Sequence, residues 1–294
     1  PISAHTVMCP SYEEVKASKK AFAKAFKIQY EEQDPFYGRT IIQPSENRFL
    51  VQTPPALPLT TKEMDAIYEL PFQRRWHPDY DAAGGVPALQ EVQFSLTSQR
   101  GCFGHCHFCA ITSHQGPIIQ SRSHESLLRE AKHMTQLPGF KGYIHDVGGP
   151  TANFRHPACQ KQLKAGVCKN KHCIGSEICP NLDTSHEDYR KLLKEIRSIP
   201  GVKKVFVRSG LRYDYVLADH NKKFVEELCQ YHVSGQLKVA PEHVVKHVTD
   251  LMGKADVHAF LKFKDWFDEA NRKLGKKQYL VPYFMSSHPG CTLD

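Results

Sequence analysis

Residues 91–110 read Glu-Val-Gln-Phe-Ser-Leu-Thr-Ser-Gln-Arg-Gly-Cys-Phe-Gly-His-Cys-His-Phe-Cys-Ala. The first seven read as a strand, and a loop follows in which Cys102, Cys106 and Cys109 stand at C-x3-C-x2-C spacing. Three thiols that close in sequence point to a metal site. Structural zinc takes four ligands, usually from paired C-x2-C units. No second pair follows Cys109, and His105, His107 and His114 are the nearby candidates for a fourth ligand. A cubane iron–sulfur cluster is held by cysteine thiolates, so three ligands would leave one iron open to an outside group.

Outward from that loop, strands alternate with helical stretches, the pattern of stacked βα units on a parallel sheet. Strands are expected over 91–97, 142–147, 203–208, 236–240 and 278–284, and a further strand after Leu182. Helices are expected over about 123–136, 186–198, 220–232 and 256–274, the last with Phe260, Phe263, Phe267 and Ala270 on one face. Composition does not choose between a closed α/β barrel and an open partial one. Ligands in such folds gather at the C-terminal ends of strands. There stand the Cys loop, Gly148-Gly149-Pro150, Arg208-Ser209 with Arg212, and Pro241-Glu242-His243.

The N-terminal part reads differently. Ser11 and Glu14 form a capping box for a helix carrying Val15, Phe22, Ala25, Phe26 and Tyr30 and ending at Asp34-Pro35. A short strand over 48–52 and a helix capped by Thr60/Thr61 through about Glu69 follow, then a Pro- and Gly-rich linker over 70–88. We expect residues 1–88 to be an N-terminal α/β extension with its linker and 89–294 the core, with a Cys-rich insertion at about 155–182. Pro1 as first residue and an end soon after 279–285 read as a fragment of a longer protein.

Over 294 residues the net charge is +8, with the lysines scattered along amphipathic segments, which reads as a solvated surface and does not favour a nucleic-acid partner. The ten cysteines are clustered, and neither a signal peptide nor a long apolar run is present. That pattern excludes a secreted disulfide scaffold and a membrane protein, and predicts metal ligation in a reducing cytoplasm. Cys9, Cys229 and Cys291 look unpaired, with Cys229 in the core.

The C-x3-C-x2-C loop with Phe108 before its last Cys resembles the signature of the radical S-adenosylmethionine (SAM) superfamily. Arg100-Gly-Cys-Phe-Gly, Gln120-Ser-Arg-Ser, Gly148-Gly-Pro-Thr-Ala-Asn153, Ser209-Gly-Leu-Arg-Tyr-Asp214, Ala240-Pro-Glu-His243 and Gln278-Tyr-Leu-Val-Pro-Tyr-Phe284 together resemble the YgiQ-type proteins of that superfamily. The resemblance implies a partial (β/α)6 TIM-like barrel and an enzyme whose [4Fe–4S] cluster, on Cys102, Cys106 and Cys109, reductively cleaves SAM. The product is a 5′-deoxyadenosyl radical that abstracts hydrogen from a substrate the family does not name. An electron donor such as flavodoxin or ferredoxin is implied. SAM is expected to meet Phe108, Gly148, Gly149, Arg208, Ser209, Arg212 and Glu242; Pro150 replaces the Glu of the superfamily's Gly-Gly-Glu segment, which leaves backbone carbonyls there as acceptors. Lys238 is expected either to line the cavity or to pair with Glu242. A methylthiotransferase-like or RNA-modifying enzyme is an alternative, and a non-catalytic zinc-dependent RNA-binding module is another.

Cys159, Cys168, Cys173 and Cys179, spaced C-x8-C-x4-C-x5-C, form a second group. Their spacing matches neither paired zinc knuckles nor the ferredoxin run. Either a zinc staple or an auxiliary iron–sulfur cluster fits; Pro180 after the last Cys leans toward the cluster. His156, His172 and His186 are reserve ligands, expected to be solvated.

Overall fold

The computed structural model describes residues 5–293. Helix α1 (Tyr12–Ala17) starts at the expected capping box: Ser11 Oγ accepts the Glu14 N–H at 3.1 Å, and the Ser11 N–H donates to the Glu14 carboxylate at 2.7 Å. It does not run on to Asp34. Ser18 is extended (φ −139°, ψ 120°), and its Oγ accepts from the Ala21 N–H, so a second helix, α2 (Lys19–Glu31), starts there. Of the apolar stripe only Ala25 is buried, while Phe22 and Phe26 are exposed and Tyr30 turns toward His105 of the Cys loop. The sheet beneath is too small to cover them. Strand β1 (Thr6–Met8) pairs parallel with β2 (Thr40–Ser45), which pairs antiparallel with β3 (Arg48–Gln52). Cys9, Ala25 and Ile41 form the buried core there. Helix α3 (Thr61–Tyr68) carries a second capping box, Thr60 with Glu63.

The first core strand is shorter than its sequence suggests. A helical turn, α4 (Leu89–Val92), takes the start of the stretch, and β4 covers Ser95–Thr97. Strands β5 (Gln99–Arg100) and β6 (Gln120–Ser121) pair antiparallel and close the base of the Cys loop, which carries the short α5 (Ile111–Gln115). Then come α6 (His124–Met134), β7 (Tyr143–Ile144), β8 (Asp146–Gly148), α7 (Gln162–Ala165), α8 (Glu187–Arg197), β9 (Lys204–Val205), α9 (Tyr213–Ala218) and α10 (Lys223–Glu227). Strand β10 (Gln236–Glu242), α11 (Lys246–Met252), α12 (Val257–Leu274) and β11 (Tyr279–Phe284) complete the order. The strand expected after Leu182 is absent among the described residues. Leu182 instead closes local turns, its N–H donating to Cys179 O, and buries its side chain in a small core of its own.

Parallel pairings join β4 to β8, β7 to β9 and β10 to β11. The Phe206 N–H donates to Ile144 O, the Val147 N–H to Phe206 O and the Val207 N–H to His232 O, and Leu211 bridges Val239. The parallel strands thus follow one another as β4, β7–β8, β9, β10 and β11, with the antiparallel β5–β6 pair set apart from them. No closed barrel forms among the described residues; the structure is an open, mixed α/β arrangement. Leu96, Val147, Val205, Val207, Leu237 and Val239 pack on Leu127, Met134, Leu192, Ile196, Phe263 and Phe267 of the helices. Parallel strands covered on both faces are usually apolar throughout. Here the residues between those apolar ones, among them Ser95, Thr97, Asp146, Arg208, Gln236 and Lys238, are polar and line a cavity instead.

Candidate functional site

The Cys loop is held by contacts that leave little freedom. Gly101 sits at φ +89°, and a β-carbon there would meet Ile118 O at 2.4 Å, so only glycine fits. The Cys102 N–H donates to Gly116 O at 3.0 Å, and Thr112 Oγ1 donates to Cys102 O at 3.1 Å. The Cys109 N–H returns to Cys106 O, and the His107 N–H reaches Met252 O at the end of α11, both at 3.0 Å.

Two of the three sulfurs receive hydrogen-bond donors. The Gly104 N–H points at Cys102 Sγ at 3.4 Å, with Thr151 Oγ1 at 3.5 Å from the same sulfur. Arg212 Nη1 points at Cys106 Sγ at 3.4 Å. A side chain at Gly104 would put its β-carbon 2.8 Å from Arg212 Nη1, so this glycine gives the guanidinium access. Arg212 is buried and clamped bidentately by Asp214, at 2.9 and 2.6 Å. Burial acts to lower the Arg212 pKa, but Asp214 and Cys106 outweigh it and raise it. Burial pushes the Cys102 thiol up, against the Thr151 and Gly104 bonds.

Lys254 and Glu242 complete this buried polar group. Lys254 is 4% exposed, its pKa lowered by burial and then by Arg212. Glu242 has φ +69°, sits where β10 slips register against β11, and keeps Oε2 buried with no hydrogen-bond partner. Burial raises its pKa, against Lys254 and Arg212.

A cavity of about 950 Å³ is lined by, among others, Gly148, Gly149, Arg208, Ser209 and Lys238. Phe108, Arg212, Glu242 and the three cysteines are not among its lining residues. Thus the structure gathers four of the seven residues expected at SAM around one cavity and leaves Phe108, Arg212 and Glu242 outside its lining. Phe108 lies edge-on to His288, with ring centroids 6.2 Å apart. The glycine pair is filled by the protein itself: a β-carbon at Gly148 would meet Ser209 Oγ at 2.4 Å, and one at Gly149 would meet Gln99 O at 2.7 Å. Lys238 and Glu242 do not pair.

The residue that organises the cavity wall, Asp146, was not singled out from sequence. One carboxylate oxygen accepts the Arg208 N–H at 2.7 Å and the Ser209 N–H at 3.1 Å, and the other accepts the Ser209 hydroxyl. Arg208 sends its guanidinium to Glu91 at 3.3 Å. Asp214, Lys254 and Asn153, which exchanges bonds with the Arg212 backbone, were likewise missed. A polar residue at a strand end was the available signal for Asp146; nothing local marks Lys254.

In the second Cys loop, burial pushes the Cys173 thiol up to about 12, with Cys159, Cys179 and Cys168 acting the same way, so the four lie within electrostatic reach of one another. Lys161 Nζ donates to Cys168 Sγ at 3.1 Å. Among the described residues no three His, Cys, Asp or Glu side chains stand in an arrangement that holds a metal, in either loop. The reserve histidines are occupied. His186 is buried rather than solvated: its Nε2 accepts from Asn153 Nδ2, which leaves Nδ1–H for Asp219, both at 3.0 Å. His156 reaches Ser185 O, and the His172 ring packs on His105 and His107. Burial, reinforced by His172 and His107, lowers the His105 pKa to about 4; His114 is exposed on α5.

Beneath both loops lies one apolar core. The rings of Phe103 and Phe154 stack at 3.7 Å, the Tyr215 ring meets each edge-on, and Ile174 and Leu182 complete it. Cys102, Cys173 and Cys179 pack against it.

Residues 2–95 match the family described as Radical SAM N-terminal. The chain is 55% identical over 284 residues to a "UPF0313 protein" of Clostridium botulinum (strain Okra / Type B1), covering 97% of this chain and 44% of that protein. It is 52% identical over 288 residues to a "UPF0313 protein" of Clostridium perfringens (strain 13 / Type A), covering 98% and 44%. The chain thus spans under half the length of these relatives. No helix among the described residues is long and apolar enough to cross a membrane. With the Cys loop and its strand-end setting, these likenesses place the chain in the YgiQ-type (UPF0313) family of the radical SAM superfamily.

Proposed function

We propose that the chain is the catalytic part of a radical SAM enzyme, with a [4Fe–4S] cluster on Cys102, Cys106 and Cys109. The observation that carries this reading is the pair of donor sets aimed at Cys102 and Cys106. A thiolate-ligated cluster is anionic and is stabilised by N–H and guanidinium groups directed at its sulfurs. When bound, the cluster supplies an electron and SAM supplies the carbon–sulfur bond whose reductive cleavage yields the hydrogen-abstracting species.

The chain's own residues bind and exclude water. Arg212, fixed by Asp214, holds positive charge against Cys106, and Lys254 adds a second buried cation. Ser209, oriented by Asp146, presents its hydroxyl at the cavity beside Gly148, and the Gly149 and Pro150 backbone lines the same wall. Glu242, with a free buried oxygen, is the acid nearest in role to the one that Pro150 replaces. Phe108 shields the loop's open side.

In this reading the open parallel sheet is part of a partial (β/α)6 barrel, residues 1–88 are an N-terminal extension with its linker, and 89–294 are the core. Cys159, Cys168, Cys173 and Cys179 hold either zinc or an auxiliary cluster, and a flavodoxin- or ferredoxin-like donor in the cytoplasm supplies electrons. The test is anaerobic reconstitution followed by iron, sulfide and zinc analysis. Reductant-dependent 5′-deoxyadenosine should form and should vanish in the Cys102→Ala/Cys106→Ala/Cys109→Ala variant. Zinc without iron in the wild-type chain, or undiminished 5′-deoxyadenosine in the variant, overturns it.

A further inference from the structure

Lysines that are scattered along the sequence come together in the fold, on α2 and on the second Cys loop. Lys19, Lys20 and Lys24 of the helix and Lys164, Lys169 and Lys171 of the loop are exposed, and none has an ion-pair partner among the described residues. The acids at the end of α2 do not offset them. Glu31 and Glu32 are matched by Lys27 and Arg39, and Asp34 is buried on the Phe36 and Val167 N–H groups. The charge left facing solvent is positive.

A line of aromatic rings runs between the two sets of lysines. Phe22, Phe26 and Tyr30 follow at four-residue steps on one stripe of α2, ~12 Å long at ~1.5 Å per residue, and are 59%, 57% and 37% exposed. They are not the helix's contribution to the core, which comes from Ala25 and Ile28 against Cys9 and Ile41. The Phe26 and Tyr30 rings lie within 23° of parallel, with centroids 6.5 Å apart. Tyr30 ends the line at a cleft that it shares with Tyr37, His105, Lys169 and Lys171. Lys169 Nζ sits over the Tyr37 ring at 4.5 Å.

Lysines alone would suit any acidic surface, and bare rings alone another protein. A single-stranded nucleic acid asks for both, cations along its phosphates and aromatic faces on which its bases stack. A lipid surface asks instead for the apolar face of an amphipathic helix, and that face of α2 is already packed on the sheet. We propose that α2 and the second Cys loop together bind a single-stranded nucleic acid, with bases stacking on Phe22, Phe26 and Tyr30 and phosphates meeting the lysines at either end. The track ends beside the first Cys loop, where Tyr30 OH lies 3.4 Å from His105 Nδ1. This goes beyond the SAM reading and does not rest on it.

The test is fluorescence anisotropy of the 294-residue chain with labelled oligouridylate and, separately, oligothymidylate over a series of salt concentrations. At least one should bind at micromolar concentration and low ionic strength. Phe22→Ala/Phe26→Ala should weaken that binding by about tenfold or more, whereas Phe22→Tyr/Phe26→Tyr should stay within about threefold of wild type. Lys169→Gln/Lys171→Gln should weaken it and flatten the slope of log affinity against log salt by about 1.4, at ~0.7 per phosphate contact. Thermal unfolding should be unchanged in all three variants, since every substituted side chain is exposed. Oligouridylate alone binding assigns RNA, and oligothymidylate alone DNA. Failure of both to bind, or equal affinity in Phe22→Ala/Phe26→Ala, overturns the proposal. So does polyglutamate bound as tightly as the oligonucleotides, which assigns an acidic protein. Phosphatidylserine vesicles bound in preference to them through Phe22 and Phe26 assign a membrane, and self-association that the alanine variant abolishes assigns a second copy; either result overturns it too. None of these readouts needs the cluster, so absence of 5′-deoxyadenosine formation refutes the SAM reading and leaves the nucleic-acid track standing.

Discussion

Asp146 concentrates more of the cavity's order than any residue visible from sequence. Replacing it with Asn turns the charge-assisted bonds to the Arg208 and Ser209 N–H groups into neutral ones and puts an N–H2 group opposite the Ser209 hydroxyl, at a cost of about 1–3 kcal/mol. Removing only the hydroxyl in Ser209→Ala costs one bond, about 0.5–1.5 kcal/mol. Urea unfolding should therefore rank Asp146→Asn below Ser209→Ala in stability, and titration should rank them the same way for SAM affinity; the reverse order refutes Asp146 as organiser of the wall. The two Cys groups were legible because their spacing is local. Asp146 was not, since its partners are 62 and 63 residues away and no short window contains them. Arg212 was singled out for its strand-end position, but its contact with the Cys106 sulfur, across 106 residues, was not.

Helices α6 and α8 are joined through an imidazole that touches two carboxylates. His124 Nδ1 lies 2.7 Å from Glu195 and Nε2 2.9 Å from Asp188, a geometry that needs both ring nitrogens protonated. The Asp188 bond, with help from Glu195 and against burial, raises the His124 pKa above its ordinary 6.5. The charged ring is favoured by folding, so its stabilisation is complete below pH 6.5 and lost as pH rises through the elevated folded value. Partial exposure of the carboxylates screens the effect. Melting temperature should fall between pH 6 and 8 more in wild type than in His124→Gln; parallel curves refute the link. Elements with local signals were readable: the Ser11–Glu14 capping box, the Thr60 cap, and α12 with buried Phe263, Phe267 and Ala270. The break at Ser18, the two-residue β5–β6 pairing and the turn at Leu89–Val92 were not. The β5–β6 pairing depends on partners about twenty residues apart, where tertiary context overrides weak local preference, whereas the break at Ser18 carries a local signal, its cap on the Ala21 N–H.

At the scale of the molecule, the N-terminal extension touches both Cys loops. Asp34, 1% exposed, accepts the Val167 N–H at 2.7 Å just before Cys168, and the Phe36 N–H at 2.8 Å. Gly166 (φ +70°) has no room for a side chain, because a β-carbon would sit 2.2 Å from Asp34 Oδ1. Tyr30 OH reaches His105 at 3.4 Å, beside Cys106. Asp34→Ala should cost about 1–3 kcal/mol and speed alkylation of Cys168 relative to Cys229, which stays buried. Unchanged relative rates would show that the latch does not position the loop. The aromatic core under the two loops has a consequence for descent. A shorter relative lacking residues 155–182 would leave one side of Phe103, Phe154 and Tyr215 bare to water. Loss of the second loop and replacement of those three rings should therefore be inherited together, so that the rings in a homologue reveal whether its ancestor carried the insertion.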